Sequence, residues 1–194
     1  KGARTTPEEV LLDVNALAAG HKFFTVTRLD VSPDGGTLLY LQDTTALRVY
    51  TLYVKDLRTG RLVDSVPNVT GGTAWANDNR TFFYVTGDSA RRDNAVWRHA
   101  VGGDRAQDAN VFREDSVLYN VGVARARNGR YVLMGAESFT TSEWAVVPAD
   151  SPTVAPRIVA PRRSGVEYSV EPAEGAFLIR TNADGARNFK VVRA

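Results

Sequence analysis

The stretch LDVSPDGGTLLYLQDTTALRVYTLYVKDLRTG, Leu29 to Gly60, carries three runs rich in Leu, Val and Tyr. The first two are parted by Pro33-Asp34-Gly35-Gly36, the next two by the longer polar loop from Gln42, and Arg58-Thr59-Gly60 closes the last. From Arg48 to Asp56 large apolar and polar residues alternate with the period of two expected of a half-buried strand. Pro-Asp-Gly is the chemistry of a short hairpin, because Gly tolerates positive φ and Pro presets the turn. Strand, tight turn, strand, loop, strand describes an antiparallel meander.

The same arrangement returns three times, at AWANDNRTFFYV from Ala74, ARARNGRYVLMG from Ala124 and VEPAEGAFLIR from Val170. Aligning the second strands puts Leu38, Phe82, Val132 and Leu178 in register, in steps of 44, 50 and 46 residues. The large residues of the third strands, Leu52, Trp97, Trp144 and Phe189, step by 45, 47 and 45. A fourth, weaker strand follows in LVDSVPNV from Leu62, DANVFRE from Asp108 and RIVAPRR from Arg157. Four-stranded units recurring at this period are the mark of β-propeller blades. A β-sandwich has the strand count but predicts no such repeat.

The expected fold is therefore all-β, a partial β-propeller. Complete blades are expected over 25–68, 69–115 and 116–163, with partial blades at 1–24 and 164–194. In the first of these partial blades EVLLD, Glu9 to Asp13, reads as an outer strand and VNALAAG as a short turn or helix. A propeller needs at least four blades, so closure requires more chain than this.

Composition bounds the function. Hydrophobic residues at 43% and charged ones at 24% are ordinary for a globular domain. The 24 Lys and Arg against 22 Asp and Glu leave no footprint for nucleic acid. No run approaches a membrane span, and KGARTTPEE lacks the apolar core of a signal peptide. A chain beginning at Lys1 reads as cut from something longer. Without Cys there is neither a disulfide framework nor a thiolate metal site. A cytoplasmic location is expected, a periplasmic one being compatible, and neither nucleic acid nor membrane is expected as a partner.

Catalytic chemistry is hard to find. The G-x-S-x-G nucleophile elbow of α/β-hydrolases is missing, and GDSAR, Gly87 to Arg91, lacks the closing Gly, so Ser89 reads as loop. His21 and His99 are the only histidines. His21 follows a turn, and His99 alternates with Trp97 along a strand, facing either solvent or a neighbouring blade. Asp104 and Asp108 read as turn formers, and the sequons at Asn68 and Asn79 as turns. No catalytic residue, metal or cofactor is expected. Function must then come from geometry: the tight turns lie on one face of the blades, and the longer loops from Gln42, Thr86, Ala136 and Thr181 gather on the other, where binding usually resides.

The segments EEVLLDVNALAAGHKFF, VSPDGGTLLY, RVYTLYVKDLRTG, WANDNRTFFYV, VWRHAVGGDRAQDANVFRE, TTSEW and EYSVEPAEGAFLIRTNADGARNFKVV, in collinear order, resemble the oligopeptidase B branch of the prolyl oligopeptidase family of serine peptidases. The resemblance implies a seven-bladed propeller that caps a catalytic α/β-hydrolase domain and admits short peptides, which are cleaved after Arg or Lys. The Ser-His-Asp triad would lie beyond this chain, which is expected to be inactive alone. The implied partners are that catalytic domain and short peptides. On the loop face, Thr70, Arg91, Arg92, Glu137 and Phe139 become candidates for substrate-cavity or domain-interface contact, and Arg48 for pairing with an acid across the domain boundary. Self-association through exposed blade faces is a further expectation. The alternative is a free-standing propeller-like interaction module. A polymer-binding surface is disfavoured, because Trp75, Trp97 and Trp144 occupy strand positions expected to pack between blades.

Overall fold

The computed structural model describes residues 8–194, and its regular structure is almost entirely antiparallel β. Blade I comprises β1 (Thr25–Val31), β2 (Thr37–Asp43), β3 (Tyr50–Asp56) and β4 (Leu62–Val69). Blade II comprises β5 (Thr73–Trp75), β6 (Thr81–Gly87), β7 (Asp93–Ala100) and β8 (Ala109–Arg113). Blade III follows with β9 (Asn120–Arg125), β10 (Tyr131–Glu137), β11 (Ser142–Pro148) and the short β12 (Arg157–Ile158). Blade IV has β13 (Tyr168–Ala173), β14 (Ala176–Thr181) and β15 (Lys190–Arg193). Within each sheet the strands lie in chain order, the meander that the hairpin turns require.

Packing explains why the second strands read as continuous apolar runs, TLLYL in β2 and TFFYV in β6. A blade inside a propeller is covered on both faces, so successive side chains enter different interfaces. Leu39, Leu41, Leu52 and Val54 of blade I meet Trp75, Phe82 and Tyr84 of blade II. The other face of blade II sends Phe83, Val85 and Val96 against Val132, Met134 and Ala145 of blade III. Leu133 and Val146 of blade III then pack towards Phe177 of blade IV, where Tyr168, Val170 and Ile179 complete the last interface.

This arrangement corrects the sequence register at three places. Leu38, Phe82 and Val132 pair with Val31, Trp75 and Arg125, six residues of turn apart, whereas the turn of blade IV has two residues between Ala173 and Ala176. The shorter turn slips the strand, so Phe177 packs on blade III, and Leu178 takes the opposite face. Trp97 pairs with Tyr84 and packs towards blade I, while Leu52 and Trp144 face the following blade, so the third-strand series mixes two faces. Phe189 precedes β15 and has φ 63°, with the Arg180 guanidinium 3.8 Å from its ring centroid.

The first segment also departs from expectation. EVLLD forms no strand: Val10 is 75% exposed and pairs with no β edge. Asp13 instead caps the helix α1 (Val14–Ala18), its carboxylate accepting the amides of Asn15 and Ala16 at 2.9 and 3.0 Å. The segment runs over the third strand of blade I, where the Lys55 ammonium donates to the Leu11 carbonyl at 2.6 Å. Among the described residues 8–24 there is thus a helix and no partial blade; residues 1–7 of that proposed blade lie outside the described residues.

Polar side chains join the blades where the apolar interfaces end. On the tight-turn face, Asn79 accepts the Asp34 amide, Asn77 donates to the Gly129 carbonyl and Asn128 to the Pro172 carbonyl, at 3.0, 3.1 and 2.9 Å. Each hairpin turn is thereby tied to the next. Between the outer strands of blades I and II lies His99, whose side chain is almost wholly buried. Its Nδ1 contacts Asp108 at 2.6 Å and its Nε2 contacts Asp64 at 2.9 Å. His99 therefore faces a neighbouring blade. Asp108 does more than form a turn, since it also accepts the Tyr84 hydroxyl at 2.7 Å, whereas Asp104 caps the short 3-10 turn by taking the Ala106 amide.

Candidate functional site

On the loop face, two neighbouring blades build the same device. β2 ends at Asp43, whose carboxylate accepts the amide and hydroxyl of Thr45, each at 2.7 Å, and the Arg48 amide at 3.0 Å. Burial opposes its ionisation, but the Thr45 hydroxyl and the loop amides outweigh burial and hold Asp43 below the usual carboxylate range. β6 is followed by Asp88, which accepts the amides of Ala90 and Arg92 at 2.9 and 3.0 Å. The Arg92 amide leads the causes that lower its pKa. Each carboxylate cages a loop, and each loop contains an arginine in the left-handed region, Arg48 at φ 57° and Arg91 at φ 63°.

Both loops open onto one cavity of about 380 Å³, lined by Leu47, Arg48, Thr70, Arg91, Asp93 and Asn120, and so shared by blades I, II and III. One of its lining residues, Thr70, leads through Gly71 and Gly72 into the innermost strand β5. The Thr70 amide donates to the Val85 carbonyl at 3.0 Å. Glycine at 71 leaves room for the Asp93 carboxylate: a Cβ there would lie 2.7 Å from Asp93 Oδ2 and 3.0 Å from the Val85 Cβ, so the Asp93 side chain would have to move. Asp93 is half-buried at this point, and burial pushes its pKa up, with the Thr70 hydroxyl opposing in part.

The five residues singled out from the sequence divide. Thr70 and Arg91 line the cavity. Arg92 turns the other way: Nε donates to Asp88 at 3.0 Å and Nη1 to the Tyr119 and Glu114 carbonyls at 2.7 and 3.3 Å. It pins the β6–β7 loop to the link between blades II and III. Glu137 ends β10 and is the register partner of Asn120, one strand from the cavity. Phe139 stands fully exposed at the tip of the next loop, which is folded by Ser138 Oγ accepting the Thr141 amide at 3.1 Å.

Glu137 has one edge in water, but the packing around its carboxyl pushes its pKa above the ordinary 4.5, and the like charge of Glu167 adds to this. The folded state therefore holds this proton to higher pH than the unfolded chain does, and the charge costs stability as pH rises through and above the ordinary value. A Glu137→Gln variant is expected to gain stability over the parent sequence between about pH 4 and about pH 7. Thermal midpoints measured across that range check this, and a difference that stays constant with pH would overturn it.

Four antiparallel blades with a loop-bearing face find a direct counterpart among known proteins. The model of the prolyl oligopeptidase N-terminal β-propeller domain matches residues 1–194. The chain belongs to this family. Dipeptidyl aminopeptidase BI of Pseudoxanthomonas mexicana is 41% identical, the match covering 96% of this chain and 26% of that protein. Protease 2 of Moraxella lacunata is 36% identical over 96% of this chain and 27% of the relative. In structure, oligopeptidase B from Leishmania major superposes with a TM-score of 0.90 at 29% identity, covering 96% of this chain and 27% of that one. The chain thus spans about a quarter of the length of these relatives.

In this propeller of the prolyl oligopeptidase family, the loop-face cavity is built by Arg48, Asp93 and Asn120 as much as by Thr70 and Arg91. Asp93 and Asn120 were not among the sequence candidates. One signal was available: Asp43 and Asp88 lie 45 residues apart, one repeat, each shortly before an arginine. Aligning the loops as well as the strands would have marked both. Asp93 carried no such signal, because its position depends on space left by Gly71.

Proposed function

We propose that this chain is the substrate-gating propeller of a serine peptidase of the oligopeptidase B type, which cleaves short peptides after Arg or Lys in a separate catalytic α/β-hydrolase domain. The observation that carries this reading is the collinear match to the family's N-terminal propeller over the whole chain. The two faces support it: tight turns stapled by asparagines on one, preorganised loops and a polar cavity on the other. Gating here is steric, since rigid blades admit only chains narrow and flexible enough to pass. The chain itself contributes no nucleophile; Ser89 lies in the β6–β7 loop.

The test uses the full-length protein and this chain side by side. The full-length protein is expected to cleave N-terminally blocked peptides after Arg or Lys, with the activity abolished by a serine-directed inhibitor, and to spare a folded protein containing the same sites. The isolated chain is expected to cleave nothing. Cleavage by the isolated chain, or none by the full-length protein, would sink the proposal. A second reading has one observation in its favour, the 41% identity to a protein named dipeptidyl aminopeptidase. It predicts removal of dipeptides from free N-termini, with blocked peptides left intact.

Self-association of the isolated chain is part of the proposal. Leu29 and Val31 on the free face of blade I are 63% and 51% exposed, and Val191 on the free face of blade IV is 66% exposed. Apolar groups placed where a neighbouring blade would stack favour association. Light scattering is expected to show a mass that rises with concentration, and a monomer throughout would count against it.

A further inference from the structure

We infer that Arg48 and Arg91 form a two-arginine receptor for a carboxylate group, opening on the loop face between blades I and II. This rests on reading the chain as part of a peptidase, where a carboxylate is the negatively charged end of every unmodified peptide. Both arginines line the same cavity of about 380 Å³. The Arg48 guanidinium has no hydrogen-bond or ion-pair partner among the described residues, and Arg91 has a single weak one, Nη1 to the Leu47 carbonyl at 3.4 Å. Both side chains are exposed on the same cavity, so their guanidinium donors are open to an incoming acceptor, and a planar carboxylate is the group such donors pair with best.

The scaffold around them is built for position. A left-handed backbone is unfavourable for residues with a Cβ, yet both arginines adopt it. Each is held there by a carboxylate one repeat from the other, Asp43 taking the Arg48 amide at 3.0 Å and Asp88 the Arg92 amide at 3.0 Å. Asp43 is turned to loop amides and Asp88 to loop amides and the Arg92 guanidinium, and neither pairs with the guanidinium of Arg48 or Arg91. The cavity's own acid, Asp93, is set against Gly71 and Thr70. Asn120, whose side chain makes no hydrogen bond among the described residues, offers a neutral donor on the third side.

Two sources could supply the carboxylate: a peptide's C-terminus, or an acidic side chain elsewhere in the full-length protein. The probes are two fluorescein-labelled peptides of identical sequence, one ending in a free carboxylate and one in a carboxamide. Their binding to the full-length protein and its R48Q/R91Q variant is followed by anisotropy at low ionic strength. If the peptide is the source, the unmodified protein binds the acid about tenfold more tightly than the amide, the variant binds both alike, and R48K/R91K keeps part of the preference.

If the protein's own side chain is the source, acid and amide bind alike, but R48Q/R91Q lowers the thermal midpoint at low salt and leaves it unchanged at high salt. Equal binding together with an unaltered midpoint at both salt concentrations would overturn the inference. Because the readout is binding, a full-length protein that cleaves no peptide would defeat the functional reading without deciding this one.

Discussion

A His99→Leu variant is expected to lose about 3–5 kcal/mol of folding stability, the usual cost of removing one partner from a buried, hydrogen-bonded charge cluster. The ring stands between two carboxylates with 1% of its side chain exposed, while those of Asp108 and Asp64 are 4% and 10% exposed. Both ring nitrogens are used, and the ring also lies 5.0 Å from that of Phe82. Leucine fills part of the volume but donates nothing, so two carboxylates are left in a largely dry interface. Tyr84 still donates to Asp108 and the Gly102 amide to Asp64, which compensates each acid only partly.

The loss should therefore be electrostatic. Adding Asp64→Asn and Asp108→Asn to the leucine variant is expected to recover most of it, because the uncompensated charges go with the carboxylates. Urea denaturation at neutral pH measures both, and an unchanged slope would show that stability rather than denatured-state compactness has moved. A leucine variant within about 0.5 kcal/mol of the parent sequence, or a triple variant no better than the single one, would show that the histidine does not hold the acids together.

The propeller was legible because its cause is periodic. Each blade needs the same turn chemistry and the same burial on both faces, so Leu38, Phe82 and Val132 recur where a sheet covered on both sides demands them. What failed was what the period does not constrain. Leu178 was misplaced because the turn of blade IV is shorter, and EVLLD because an apolar run is a strand only when an edge is available to pair with it. The cavity was half legible. Thr70 and Arg91 follow from loop position alone, whereas Arg92, next in sequence and chemically identical, is consumed by the carbonyls of Glu114 and Tyr119. Neighbouring residues on a loop point in different directions, and no periodicity tells them apart. His99 was similarly open, since a strand position fixes the face of a side chain but not the acids supplied by another blade.

Gly72→Ala is expected to cost about 3 kcal/mol, the upper part of the range for overpacking a well-filled interior. A Cβ at Gly72 would lie 2.6 Å from the Val123 carbonyl oxygen of blade III. That contact is with backbone, so no side chain can swing aside; blades II and III must part at their inner strands. The Gly72 carbonyl is itself fixed, accepting the Val85 amide at 3.1 Å. Parting the blades would also disturb the loop-face cavity, whose Thr70 and Asn120 belong to the two blades being pushed apart. Gly122 provides the control. It lies on the inner strand of blade III, is exposed, and would place its Cβ in open space without a positive φ. Gly122→Ala should be neutral or stabilising by up to about 1 kcal/mol, because alanine restricts the unfolded chain. Equal losses at the two positions would mean that the inner strands require glycine for backbone conformation; a loss confined to Gly72 would mean that they require it for the approach of one blade to the next.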